Sequence, residues 1–358
     1  MSRESLLDLN TYTLIGNTRH RGTAWHYRAD LQGTEPNHYS GPIPIADVQR
    51  RLFDWQAVQL PVAIERPADL LTMTHLNATG SPARWVVVPD RLAVARSDRS
   101  DGTVMGMFTE SYVPHQYDEW LLGSVANILD DDLSISSAGL LRDGAVAWVE
   151  VSVPESIRTP EGVEFRPNLL ATTTFDGSLA TTYKRTVTNV VCDNTRGLAL
   201  AEAGLQVKVK HSRRSALRLA SARDALAVVH SMAEDFADEI RAMCAIDVEA
   251  RQWGQFLDGW APSVDTTGAP LAGRARTTTD RRRAALDDLY RVDPRVAPWA
   301  GTAYGVIQAV NTYEHHLRPV RGTDRAARNT LRAVAGQFEA VDRATWNELS
   351  PLLSRVTV

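Results

Sequence analysis

Two aspartate-glycine turns constrain this chain more than any other feature. Arg142-Asp143-Gly144 stands between residues 137–141 and 145–153, and Phe175-Asp176-Gly177 between 169–174 and 179–191. Asp-Gly suits a tight turn with positive φ, and the flanking segments are rich in threonine and valine, as a pleated surface prefers. Two antiparallel hairpins in one sheet are expected.

Upstream, residues 85–89, 93–96 and 104–113 have strand character, with turns at Pro89-Asp90 and Ser100-Asp101-Gly102. Residues 116–129 place Trp120, Leu121, Val125, Ile128 and Leu129 on one helical stripe, with Asp118 and Glu119 where a helix dipole favours acid. Up to about Asn77 the sequence is irregular, apart from a helix at 45–55 that spaces Ile45, Val48, Leu52 and Trp55 on one face. After Asn194 the pattern becomes helical, interrupted by a strand at 206–210 and a loop at 261–270. Helices are expected at 214–244, 281–290, 303–317 and 324–340. The fold class is α+β: a central antiparallel sheet built from hairpins, with packed helices and a helical C-terminal lobe. The chain divides into three regions: an irregular and helical segment 1–84, an α+β core 85–212 and a helical lobe 213–358.

The 358 residues are 44% hydrophobic, enough for a sizeable core, and no apolar run reaches the length of a membrane span. The first residues lack a signal-peptide layout, so a cytoplasmic protein is expected, with no membrane partner. The two cysteines, Cys192 and Cys244, are far apart and carry neither a disulfide framework nor a zinc motif. A net charge of −4 excludes a uniformly basic coat but not a local cationic stripe.

Sites of bond chemistry are weakly indicated. Val191-Cys192-Asp193-Asn194-Thr195 has a thiol beside a carboxylate but no neighbouring histidine, and Asn194 or Thr195 suits a helix N-cap. His315 and His316 are adjacent and do not make an i, i+4 metal clamp. Gly301-Thr302-Ala303-Tyr304-Gly305 opens a helix, where its glycines suit either a phosphate or close packing. No metal or other cofactor is expected.

Basic clusters are more prominent. Lys208, Lys210, His211, Arg213, Arg214 and Arg218 run without an intervening acid, and Arg274, Arg276, Arg281, Arg282 and Arg283 are broken only by Asp280. Lys184 and Arg185 add charge beside Tyr183 on the second hairpin. Cations in line neutralise a phosphate row, and an adjacent ring stacks bases. The candidate nucleic-acid site is therefore Tyr183, Lys184, Arg185, Lys208, Lys210, His211, Arg213, Arg214, Arg274 and Arg276. Solvated arginines paired with scattered acids are the bland alternative.

Several segments in order resemble a family of uncharacterised proteins borne by phages, prophages and plasmids. They are Arg96-Ser97-Asp98, residues 106–112, Ser137-Ala138-Gly139, Phe175-Asp176-Gly177-Ser178, 191–195, Lys210-His211-Ser212 and 301–305 followed by Asn311. The resemblance implies work on DNA, in recombination, replication or evasion of host defence. The strand and helix order over 85–153 is similar, more loosely, to the core of Red-Beta and Erf type single-strand annealing proteins. On these grounds the chain is expected to be a non-enzymatic protein that binds single-stranded DNA and anneals strands as a homo-oligomeric ring or filament. Two alternatives are a metal-dependent nuclease using Asp193, His211 or Glu314, and an anti-defence protein that binds a host protein through Asp118, Asp130, Asp131 and Asp132.

Overall fold

The computed structural model describes residues 3–24, 27–67, 84–126, 129, 133–152, 156–189, 194–197, 206–212, 232–320, 325, 328, 329, 332 and 337–353. Its centre is an antiparallel sheet built by the two turns. Strands β5 (Ser134–Leu141) and β6 (Val146–Ser152) flank Asp143 and Gly144, whose φ values are 62° and 95°. Strands β8 (Glu164–Thr174) and β9 (Thr181–Asn189) flank Asp176-Gly177. Because β6 also pairs with β8, both hairpins share one sheet, and Arg142 of the first turn donates to Asp176 of the second at 2.5 Å.

Further strands extend this sheet. Strand β1 (Thr13–Ile15) pairs with β5, and the short β7 (Ile157–Arg158) pairs with β8. The free edge of β9 is shared by β10 (Asn194–Gly197) and β11 (Gln206–Val209). Asn194 and Thr195 therefore lie in a strand opposite Asn189 and Thr188, and the expected helix N-cap is not there. Cys192 and Asp193 lie outside the described residues.

Alternation along each strand gives the sheet two different faces. Ala147, Val149 and Val151 of β6, Leu169 and Ala171 of β8, Tyr183 of β9 and Val209 of β11 belong to one buried core. Leu14, Trp120, Leu121 and Val125 pack in the same core, as do Val48, Leu52, Phe53 and Trp55 from helix α2 (Ile45–Leu52) and its continuation. The first helix, α1 (Arg3–Thr11), lies near the far end of the sheet, where Leu9 packs with Leu141, Val146 and Trp148. The opposite face carries Arg166, Asn168, Thr172, Thr182, Lys184 and Thr186, all buried although polar.

Three expectations need correction here. The segment 1–84 is not merely irregular and helical: it supplies β1 and also β2 (Ala57–Glu65) of a second, three-stranded sheet. In that sheet β3 (Trp85–Arg96) runs unbroken through Pro89-Asp90 and pairs with β4 (Val104–Phe108). Asp90 takes a left-handed φ of 58°, and the β2–β3 register shifts between Pro61 and Ala63. A proline without an N–H and a left-handed aspartate thus make a bulge rather than a chain reversal. The expected helix at 116–129 is present as a π-turn at Asp118–Leu122 followed by α3 (Gly123–Ala126).

Beyond the sheet the described residues are helical: α4 (Met232–Cys244), α5 (Ala250–Trp260), α6 (Gly273–Arg291), α7 (Ala303–Thr312) and α8 (Gln337–Leu353). A π-turn at Tyr313–Leu317 continues α7. Gly305 allows close packing at the entry to α7, since a Cβ there would lie 2.1 Å from the Trp299 carbonyl oxygen. Phe236, Ile240 and Met243 of α4, with Trp299, Tyr304 and Ile307, enclose Val163 and Phe165 and so seat the helices on the β8 end of the sheet. No described helix is long and apolar enough to cross a membrane.

Candidate nucleic-acid interface

The two basic clusters have different fates. Tyr183 is buried, its hydroxyl bonded to the Trp120 carbonyl and close to Ser124, so the ring is core and offers no face to a base. Lys184 is buried as well and reaches Glu339 of α8 at 2.5 Å. Burial pushes its pKa down while Glu339 pulls it up. These two residues therefore do not belong to an exposed cationic groove, because β9 is an inner strand covered on both faces. Arg185 stands on β9 opposite Leu169. Its side chain, and Arg213, Arg214 and Arg218 altogether, lie outside the described residues.

Strand β11 has the expected alternation. Lys208 and Lys210 are exposed on either side of buried Val209. His211 follows, but it turns inward rather than toward solvent. Its ring stacks between Tyr112 and His115, at 4.9 and 4.0 Å, and the run continues through Phe108 on one side and Trp120 on the other. Thr181 pairs with His115 Nδ1 at 2.6 Å, and Thr173 with His211 Nε2 at 3.0 Å. Burial, aided by the neighbouring His211, pushes the His115 pKa down to about 3, and burial takes His211 down to about 4. Both rings are neutral near pH 7, so His211 contributes no cation.

Helix α6 carries the second cluster and divides it by face. Its apolar anchors, Leu286, Leu289 and Tyr290, are confined to the second half. The first half has no large apolar residue, and Gly273 to Thr278 are exposed without exception. Helix is maintained there by propagation from the anchored end, while the hydroxyls of Thr277 and Thr278 fold back onto the Gly273 and Arg274 carbonyls at 3.2 and 2.8 Å. This projecting half presents Arg274, Arg276 and Arg281 to solvent, with Arg276 paired to Asp280 at 3.0 Å. Arg283 is structural: it donates to the Leu257 and Ala261 carbonyls at 3.0 and 3.1 Å and to Asp258 at 2.8 Å, closing the C-terminus of α5. Arg282 turns inward over Trp260 and Tyr313.

Those residues weighed for metal chemistry that are described do not converge. His315 stacks on Phe338 at 3.7 Å, whereas His211 sits among the rings at the sheet. Glu314 is buried and engaged by arginines, with Arg318 at 2.7 Å and Arg332 at 2.9 Å. Among the described residues no three His, Cys, Asp or Glu side chains are grouped to hold a metal ion. Of the acidic set, Asp118 accepts from Gln56 at 3.0 Å, and Asp130, Asp131 and Asp132 lie outside the described residues.

Fold and surface together define an α+β protein whose sheet is capped by a helical lobe bearing a projecting basic helix. The chain belongs to the family described as Domain of unknown function (DUF932), which matches residues 104–335, well over half of its length. The match begins at β4 and takes in the main hairpins and all of α6, leaving β1, β2 and β3 outside. No curated protein and no solved structure matches the chain.

Proposed function

We propose that this chain binds single-stranded nucleic acid along its phosphate backbone and promotes pairing of complementary strands, acting without metal or nucleotide. The projecting half of α6 is the observation that carries this reading. Arg274 and Arg281, seven residues apart and so on one side of an unburied helix half, offer charge in line with a phosphate row, and Arg276, paired to Asp280, adds to it from another side. Lys208 of β11 and Lys210 just beyond its end add exposed charge at the sheet edge. The similarity to phage and plasmid proteins favours DNA as the substrate, and strand annealing favours a cytoplasmic ring or filament of several copies.

A labelled single-stranded oligonucleotide titrated at two salt concentrations, with complementary strand and divalent metal added in parallel, tests the proposal. Binding is expected to weaken with salt, and pairing to proceed without metal. Replacing Arg274, Arg276 and Arg281 by alanine should lower the slope of log affinity against log salt by ~0.7 for each lost contact. Equal binding by parent and triple variant at every salt concentration rejects the α6 assignment, and metal-dependent cleavage of the strand rejects the non-enzymatic reading.

A further inference from the structure

A second concentration of charge lies where α6 meets the end of α7, and it is built differently from the exposed ridge. Glu314, only 2% exposed, is the carboxylate at its centre. Arg318 and Arg332 contact it directly, and Arg328 approaches to 3.9 Å. Arg282 comes from α6, with its guanidinium 5.6 Å from the centre of the Trp260 ring and 5.8 Å from that of Tyr313. Arg332 lies 4.5 Å over Phe338. Arg325 stands one helical turn before Arg328, and residues 325, 328 and 332 share the i, i+3, i+7 spacing of one helix face.

Among the described residues the charges do not balance. A guanidinium does not give up its proton in a protein, so these arginines remain cationic whatever surrounds them. One carboxylate cannot serve them all. Arg282 Nε, Arg325 Nη1 and Arg328 Nη1 are buried from solvent and have no hydrogen-bond partner among the described residues. Arg328 is held below its ordinary pKa by burial and then by Arg332 and Arg318, and Arg282 by burial, with Tyr313 and Glu314 pulling up and Arg318 pushing down. Buried polar donors are normally satisfied, and an unsatisfied charged donor is costlier than a neutral one. Surplus cation, idle donors and aromatic backing therefore occur in one place.

We infer that Glu314, Arg282, Arg318, Arg325, Arg328 and Arg332 form a binding site for a phosphate group, carried either by a small phosphorylated molecule or by the terminus of a nucleic-acid strand. A phosphate offers several acceptor oxygens to planar guanidinium forks and returns the negative charge that the cluster lacks. Glu314 holds Arg318 and Arg332 in place, and the idle donors of Arg282, Arg325 and Arg328 are the ones that receive the ligand. The inference stands on this charge imbalance and not on the strand-annealing proposal, since the α6 ridge and this cluster use different arginines.

Inorganic phosphate is the first probe, with sodium chloride at matched ionic strength as control. At ~10 mM, phosphate should raise the melting midpoint of the full chain by mass action, and chloride should not. The variant R325A/R328A removes the two least committed cations. It is expected to melt at or above the parent's midpoint without phosphate and to lose the phosphate response by about tenfold or more in affinity. E314Q should melt lower than the parent without phosphate and regain more on adding it. A pair of oligonucleotides, 5′-phosphorylated and 5′-hydroxyl, separates the two sources: tighter binding of the phosphorylated strand assigns a strand terminus, and equal binding alongside a response to free phosphate assigns a small phosphorylated ligand. The inference is overturned if neither free phosphate nor the 5′-phosphate has any effect, or if R325A/R328A responds as the parent does. Phosphate binding without any strand binding would remove the annealing proposal and leave this site intact.

Discussion

His115 and His211 are the residues whose chemistry is most altered by where they lie. Each is expected to titrate near pH 6.5 in an unfolded chain, but in the stack between Tyr112 and Trp120 they stay neutral down to about 3 and about 4. The hydroxyls of Thr173 and Thr181 face them from β8 and β9, and the charge of Asp176 acts on Tyr112. Both folded pKa values lie below the unfolded one, so the unfolded chain takes up protons that the native chain refuses as pH falls from about 6.5 to about 4. Stability should therefore be full above pH 6.5 and fall as pH drops, by at most ~1.4 kcal/mol per pK unit for each ring, with the His211 loss complete near pH 4 and that of His115 near pH 3. His211→Phe keeps a ring in the stack and removes one titrating group. Urea midpoints at pH 7 and pH 5 should differ less for this variant than for the parent; an unchanged difference would show that the pair does not set the acid limb. Lys184 makes the contrasting case of a charge buried with its partner. Glu339→Ala removes the carboxylate paired with a buried ammonium and is expected to cost ~3–5 kcal/mol, whereas K184M/E339L, which removes both charges, should cost far less. Equal losses for the single and double variants in urea unfolding would mean that the pair is worth no more than its packing.

At the scale of elements, the sheet was legible wherever local chemistry dictates it. Asp143-Gly144 and Asp176-Gly177 require positive φ or a tight reversal, and the alternation in 145–153 and 169–174 points each strand's apolar side to the same core. Strand β11 was legible for the same reason, since Val209 between two lysines marks the buried side. Misses occurred where a residue type is ambiguous out of context. Pro89-Asp90 is chemically a turn, and only pairing with β2 across a bulge keeps it within β3. Strand β2 itself, Ala57–Glu65, contains a proline and is largely exposed, so it lacks a clean period-two signal. Asn194 and Thr195 suit a cap by composition, but pairing with β9 overrode that preference. For the candidate site, charge was legible and direction was not. Lys184 and Arg283 look like any surface cation in sequence, yet one is paired inside the molecule and the other closes a helix end. Arg325, Arg328 and Arg332 left a signal in their helical spacing, but Glu314 becomes their centre, with Arg318, only when the turn that continues α7 brings it to them.

The whole molecule is tied together more tightly than a division at residues 84 and 212 implies. The main core is completed by Leu14, Ile43, Val48, Leu52, Phe53 and Trp55, all from the first segment, and β1 adds a strand to the edge of β5. Burying one such side chain contributes ~1.5–3 kcal/mol, so removing six takes away on the order of 10 kcal/mol. That is comparable to the entire net stability of a domain, ~5–15 kcal/mol. On the other side, Phe165 of β8 is enclosed by Phe236, Ile240 and Tyr304 from the helical lobe, and Trp299 donates to the Glu161 carbonyl at 3.0 Å across the same seam. An isolated fragment 85–212 would expose both of these surfaces at once. It is expected to show no cooperative thermal or urea transition, whereas the full chain should unfold with coincident far-ultraviolet circular dichroism and tryptophan fluorescence changes. A fragment that melts cooperatively would prove the sheet to be self-sufficient, and separated transitions in the full chain would prove the helical lobe to be an independent unit. With coincident transitions, the phosphate site and the strand-binding ridge share one folding unit, and variants at either must be judged against the stability of the entire chain.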